Sequence, residues 1–190
     1  SIGAYSDVRL AFEELQEIGM KKLIFDLRDN PGGSLTEAVK ICSIFLPTGS
    51  KVVETKGKFE KNNNTYNTLI PPLDTADIPL VILTNESSAS ASEIVAGVMQ
   101  DYDRGVLVGN RTFGKGLVQM TRPLVYNSQL KVTTSRYYIP SGRCIQAIDY
   151  SRKDKNGRPE KTPDSLRVEF KTEGGRIVYD GKGIKPDFKV

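Results

Sequence analysis

Between Ser6 and Ile18 the apolar residues Val8, Ala11, Phe12, Leu15 and Ile18 recur at helical spacing, and Gly19 is placed to end the helix. Lys22 to Arg28 reads as a strand running into the turn Asn30-Pro31-Gly32-Gly33. A second helix is predicted from Leu35 to Leu46, opened by a capping box of Ser34 and Glu37 and stopped by Pro47. Lys51 to Thr55 is strand-like, and the polar stretch 56–77, with asparagines at 62–64, predicts a long surface excursion or hairpin. The short apolar run Leu80 to Leu83 suits a buried strand. The next helix begins at Ala91 and carries Ile94, Val95, Val98, Met99 and Tyr102 on one face, and Gly105 to Val108 forms another short strand. From Leu117 to Tyr138 the pattern is extended, with a turn at Asn127-Ser128, and later strands fall at Arg167 to Phe170 and Arg176 to Tyr179. Strand–helix alternation followed by a β-rich C-terminal half, without an internal repeat, predicts a mixed α/β domain.

Length and composition narrow this picture little. A chain of 190 residues suits one substantial domain or two small ones, and 38% hydrophobic with 26% charged residues is ordinary for a globular fold. No apolar run is long enough to span a membrane. The opening Ser1-Ile2-Gly3-Ala4 has neither a start methionine nor a basic-then-apolar leader, so the chain reads as an internal piece of a longer protein. The net charge of +4 is mild. Its densest basic stretch, Arg152 to Lys161, is diluted by Asp154 and Glu160 and reads as a solvated loop. No nucleic-acid motif accompanies it, so nucleic acid is not an expected partner.

The absence of histidine changes the picture more. It removes Ser-His-Asp and Cys-His mechanisms and the common catalytic zinc sites. Cys42 and Cys144 are too few for a disulfide framework, and Cys42 falls in an apolar helical stretch where a buried free thiol is expected. A serine nucleophile would therefore need another base. Lysine can serve only where the fold keeps its amine neutral, as burial away from carboxylates does.

Ser90 follows a predicted buried strand and stands three residues before Glu93 at the start of a helix. Ser-x-x-Glu in that place is a capping box with no chemistry required. The same corner would also present a hydroxyl at the sheet edge, with the Ala91 amide at a helix N-terminus that favours developing negative charge. Lys115 lies 25 residues on, between Gly114 and Gly116, which allow backbone or substrate to approach closely; taken alone it reads as a solvated turn lysine. Gln119 would share its face in an extended segment, able to orient the amine or simply to face solvent. The run from Gly109 to Gly116 nearly spells a phosphate-binding loop. It lacks the magnesium-binding hydroxyl at Gly116 and leads into strand rather than helix, which argues against nucleotide hydrolysis. Asp29-Asn30-Pro31-Gly32-Gly33-Ser34 reads as a tight turn or as a nest of amides that binds an oxyanion.

Five blocks occur in order: Asp26-Leu27-Arg28-Asp29-Asn30-Pro31-Gly32-Gly33, Ser88-Ala89-Ser90-Ala91-Ser92-Glu93-Ile94, Thr112-Phe113-Gly114-Lys115-Gly116, Tyr138-Ile139-Pro140-Ser141-Gly142-Arg143 and Gly183-Ile184-Lys185-Pro186-Asp187. Together they resemble the catalytic core of the C-terminal processing peptidases, or tail-specific proteases, of peptidase family S41. The likeness extends over essentially all of residues 1–190. It implies an α/β, ClpP/crotonase-like core, with Ser90 as nucleophile, Lys115 as general base and Gln119 positioning the lysine. The amides of Gly33 and Ala91 would form the oxyanion hole, Gly32 being the alternative to Gly33, and Asp101 would give structural support. The resemblance implies no cofactor. The partners it implies are polypeptide substrates with apolar C-termini and a PDZ domain of the same parent chain, and it leaves room for a homo-oligomer. It places the protein in a bacterial cell envelope, periplasmic or exported. The chain departs from the family pattern in lacking that PDZ domain and in the segment Asp180-Gly181-Lys182-Gly183, where the family is more glycine-rich. A catalytically silent domain that binds peptides or apolar ligands is the competing reading, disfavoured by the presence of both Ser90 and Lys115. An acyl-CoA enzyme of crotonase-like architecture would not need the pair.

Overall fold

Helix α1 spans Ala4–Glu17, strand β1 Leu23–Asp26, α2 Leu35–Phe45, β2 Lys51–Gly57, β3 Asn64–Asn67, β4 Leu80–Thr84, α3 Ala91–Asp101 and β5 Val106–Gly109 in a computed structural model that describes residues 3–190. The second half is extended: β6 Leu117–Pro123, β7 Gln129–Tyr138, β8 Ile148–Lys153, β9 Pro159–Lys161, β10 Glu169–Lys171, β11 Ile177–Tyr179 and β12 Phe188–Lys189. Strands β1, β4, β5 and β12 pair in that order as a parallel sheet, with Phe25 opposite Ile82 and Ile82 opposite Leu107. A second, antiparallel sheet runs β3-β2-β7-β6, and the pairs β8-β9 and β10-β11 form two small hairpins. The expected mixed α/β class with a β-rich second half is the architecture observed.

The core lies between these layers. Ile44, Val52, Val53, Ile82, Val98, Met99, Leu107, Ile139, Ile145 and Ile184 are buried from α2, α3, both sheets and the C-terminal loops. Each such side chain contributes about 1.5–3 kcal/mol by leaving water. The periodic pattern predicted an apolar face on α3, yet all eleven residues of this helix are buried. Packing on α2, β2 and β5 covers its apolar side. Its polar residues face other protein groups instead of solvent. Helix α1 departs in the opposite sense: Phe12 is buried edge-on to Phe45, but Ile18, placed on the same stripe, is 82% exposed.

The excursion at 56–77 is a hairpin in part, because β3 returns along β2. Beyond it the buried Asp74 carboxylate accepts from Arg104 and pins the segment to the core. The β6–β7 turn falls one residue earlier than the sequence suggests, with Tyr126 and Asn127 both left-handed at φ 55° and 56°. The basic stretch expected to be a loop is the exposed β8–β9 hairpin.

A buried ion pair explains part of the polarity of α3. Asp101 and Arg143, with side chains 2% and 1% exposed, meet at 2.8 Å. The Ser141 amide donates to the second Asp101 oxygen at 2.9 Å, and Gln100 Oε1 accepts from Arg143 at 2.9 Å. Burial pushes the Asp101 carboxyl above its ordinary range, opposed chiefly by the Arg143 charge. Removing one partner strands the other charge without water. Asp101→Ala is therefore expected to lower stability by about 3–5 kcal/mol, read as a reduced midpoint in urea denaturation.

Candidate active site

Three loops at the C-terminal ends of the parallel strands build the site: 27–34 after β1, 85–90 after β4 and 110–116 after β5. Short polar side chains lace the first two together. Asn85 Nδ2 donates to Asp29 Oδ1 at 2.9 Å, the Asp29 amide donates to Asn85 Oδ1 at 3.0 Å, and Ser88 Oγ donates to the Leu27 carbonyl at 2.7 Å. The Phe113 amide reaches the Ser88 carbonyl at 3.0 Å and joins the third loop. Ser90 closes the second loop with φ 57° and ψ −116°. A non-glycine residue there costs about 1–3 kcal/mol, so the surroundings must impose it. Residues 85–89 separate this strained serine, at the start of α3, from the end of β4.

Glu93 supplies much of that constraint. Its carboxylate, fully buried, reaches back to the Ser90 amide at 2.8 Å, as the capping pattern predicts. It also accepts from Thr112 Oγ1 at 2.5 Å, from the Gly114 amide at 2.7 Å and from the Lys115 amide at 2.9 Å. Four donors on two oxygens are the pattern an acceptor-only carboxylate takes. Burial raises the Glu93 carboxyl above the usual glutamate range, while the bonds from Thr112, Lys115, Gly114 and Ser90 act against that rise. Thr112 Oγ1 in turn accepts the Ile184 amide at 2.7 Å, which ties in the last of the five sequence blocks.

The turn 29–33 presses on the serine corner. Gly32, at φ 90°, has no room for a side chain: a Cβ there would stand 2.5 Å from the Ala89 carbonyl oxygen and 2.6 Å from the Ala91 nitrogen. The Gly32 amide is already occupied, donating to Asn30 Oδ1 at 3.0 Å. Among the described residues no protein acceptor takes the Gly33 or Ala91 amide. That distinguishes Gly33 from Gly32 on hydrogen bonding. On the third loop, Gly114 sits against Ala147, where a Cβ would approach to 2.5 Å, and the Gly116 amide donates to Gln146 Oε1 at 2.7 Å.

A cavity of about 240 Å3 draws all five sequence-predicted residues together: Gly33, Ser90, Ala91, Lys115 and Gln119 line it, along with Tyr137. Ser90 and Lys115 are half-buried, and Gln119 is exposed. A β-bulge lies opposite Val118 and Gln119, where the pairing skips Thr134 of β7. Among the described residues no hydrogen bond joins Ser90 Oγ to Lys115 Nζ. No group of three His, Cys, Asp or Glu side chains among them is placed to hold a metal ion. Cys42 is buried and free, and desolvation pushes its thiol pKa upward, away from reactivity.

Residues that sequence reasoning passed over are Glu93 as a tie between loops, Asn30, Thr112 and Tyr137. A signal existed for Glu93. Ser-x-x-Glu at a helix start already turns that carboxylate back toward the Ser90 amide, and a carboxylate held there needs further partners if it is buried.

The sequence matches the model of Peptidase family S41 over residues 2–152, and the chain belongs to that family. It is 39% identical over 173 residues to a "Probable CtpA-like serine protease" of Staphylococcus aureus, covering 88% of this chain and 33% of that protein. It is 41% identical over 148 residues to a "Carboxy-terminal-processing protease" of Bartonella bacilliformis, covering 76% of this chain and 34% of the relative. The solved photosystem II D1 C-terminal processing protease superposes with a TM-score of 0.71 at 28% identity, over 98% of this chain and 39% of that one. The chain thus spans about a third of the length of the curated relatives it matches.

Glu93→Gln places an NH2 donor where an oxygen now accepts two hydrogen bonds. Leaving buried donors unmet is expected to cost about 2–5 kcal/mol. Hydrogen exchange should report it locally, with amides 112–116 losing protection before the parallel sheet does.

Proposed function

We propose that this chain is the catalytic core of a serine endopeptidase that cleaves polypeptides at or near their C-termini through a Ser90–Lys115 dyad. The observation that carries the reading is the single cavity shared by Ser90, Lys115, Gln119 and the unoccupied amides of Gly33 and Ala91. In the proposed reaction Ser90 Oγ attacks the scissile carbonyl carbon, and its proton passes to Lys115 Nζ. The carbonyl oxygen becomes an oxyanion and accepts from the Gly33 and Ala91 amides, whose dipoles are already fixed by the turn and by the start of α3. Collapse breaks the peptide bond, and the departing amine takes the proton from Lys115. Water, deprotonated by the same amine, then hydrolyses the acyl-enzyme and regenerates the serine. Gln119 holds the lysine side chain toward Ser90. The helix is apt for this work, since an oxyanion at its first amide is stabilised by the aligned backbone dipoles.

The polypeptide substrates we infer carry apolar C-termini and are delivered by a PDZ domain of the same protein, acting in a bacterial envelope. Among the described residues no helix is long and apolar enough to cross a membrane.

Turnover of an unstructured protein substrate by the full-length protein tests the dyad. Ser90→Ala and Lys115→Ala should each reduce kcat by at least about a thousandfold, as removal of a nucleophile or its base does. Gln119→Ala should cost about tenfold. Unchanged turnover in both dyad variants sinks the assignment, and substrate binding without turnover by the unaltered protein favours the silent peptide-binding domain.

A further inference from the structure

The amides of Ser90 and Lys115 share one acceptor, the Glu93 carboxylate. Their carbonyls converge as well, on the hydroxyl of Tyr137. This phenol lies 3.3 Å from the Ser90 carbonyl oxygen and in closer contact with that of Lys115. We propose that Tyr137 is a positioning residue for the peptidase reaction, its hydroxyl bridging the Ser90 and Lys115 carbonyls so that nucleophile and base keep one relative placement. The inference rests on the dyad reading and adds to it a residue outside the five site positions.

Several observations bear on this role. Tyr137 is 2% exposed, near the end of β7, and it lines the cavity that holds the dyad. Its own amide donates to the Gly116 carbonyl at 3.0 Å, so the ring is anchored beside the loop it contacts. Among the described residues no other donor reaches the Lys115 carbonyl. The Ser90 carbonyl already accepts the Ile94 amide at 3.0 Å. The phenol proton is therefore most needed at Lys115, with Ser90 as its second acceptor. Burial pushes the Tyr137 phenol well above its ordinary range and the Glu93 charge adds to the effect, so the group remains a donor and is unsuited to act as the base. A hydroxyl that fixes a carbonyl also fixes the direction in which that residue's side chain leaves the backbone. At Lys115 Glu93 holds only the amide, at 2.9 Å, and the carbonyl is left to Tyr137. At Ser90 the strained φ requires opposing restraints, and Glu93 and Tyr137 act on opposite ends of the same residue.

The test uses the full-length protein, an unstructured protein substrate and a fluorophosphonate that modifies a reactive serine covalently. Tyr137→Phe removes one oxygen and keeps the ring. The expected result is a fall in kcat of roughly ten- to a hundredfold with KM within about twofold. The second-order rate of fluorophosphonate labelling should fall by a similar factor. Turnover and labelling both within about twofold of the unaltered protein overturn the proposal, as does a loss that disappears once rates are corrected for the folded fraction. Incorporating 3-fluorotyrosine at position 137 supplies an independent arm, because it keeps the hydroxyl and strengthens it as a donor. Activity should then stay within about threefold, and a tenfold loss in a folded protein contradicts the bridging role. Ser90→Ala separates the layers: if it still turns over substrate, the dyad reading itself has failed. If it is inactive while Tyr137→Phe is unimpaired, only the role of Tyr137 falls.

Discussion

A fully buried carboxylate with four donors organises this fold around its cavity. Glu93 belongs to α3, and its oxygens receive one amide from its own helix start and three groups from the 110–116 loop. Each donor would be costly to leave unmet in a space without water, so the loop has few alternatives to the position it takes. Through Thr112 the same tie extends to Ile184 and to the C-terminal segment that completes the parallel sheet. A desolvated carboxylate is an expensive component, and its pKa rises accordingly. What offsets the expense is the number and quality of its hydrogen bonds.

The remaining constraints are of the same kind. Asn85 and Ser88 join the loop after β4 to Asp29 and to the Leu27 carbonyl on the loop after β1, and Asn30 holds the Gly32 amide within that first loop. Gly32 and Gly114 permit backbone contacts that any Cβ would prevent. Farther along α3, Asp101 and Gln100 hold Arg143 and the 185–187 segment. The five sequence blocks that carry the family resemblance are thus largely a set of mutual hydrogen-bonding partners around one helix.

Helical spacing and short apolar runs made the three helices and β1, β4 and β5 legible, because those patterns report local geometry directly, whereas the two-residue β12 gave no such pattern. The burial of α3 was less legible. Ser92, Glu93, Gln100 and Asp101 look like a solvated face until their partners are known, and those partners lie as far away as Asp187. On α1 the stripe predicted the helix but not its burial, since Phe12 is buried while Ala11, Leu15 and Ile18 are exposed. Ser90 and Lys115 were legible from type and motif and do line one cavity. Tyr137 gave no local sign. A tyrosine in a β-rich stretch reads as a packing residue, and only the tertiary arrangement brings its hydroxyl between two carbonyls.

A lysine base differs from histidine in how it must be held. Imidazole is a short, rigid ring that a single hydrogen-bonded carboxylate can orient. A lysine amine sits at the end of four flexible bonds, and a carboxylate close enough to orient it would also favour its charged form. Here the acidic group closest to the loop is fully engaged by backbone amides and a hydroxyl, so it fixes where Lys115 begins without forming an ion pair with its amine. Position is imposed on the backbone at both of its polar groups, by Glu93 on the amide and Tyr137 on the carbonyl. The side chain then enters a cavity whose proposed orienting group, Gln119, is neutral. In the proposed dyad the lysine is thus placed through its backbone rather than through an ion pair on its amine, a restraint that a histidine-based triad does not need.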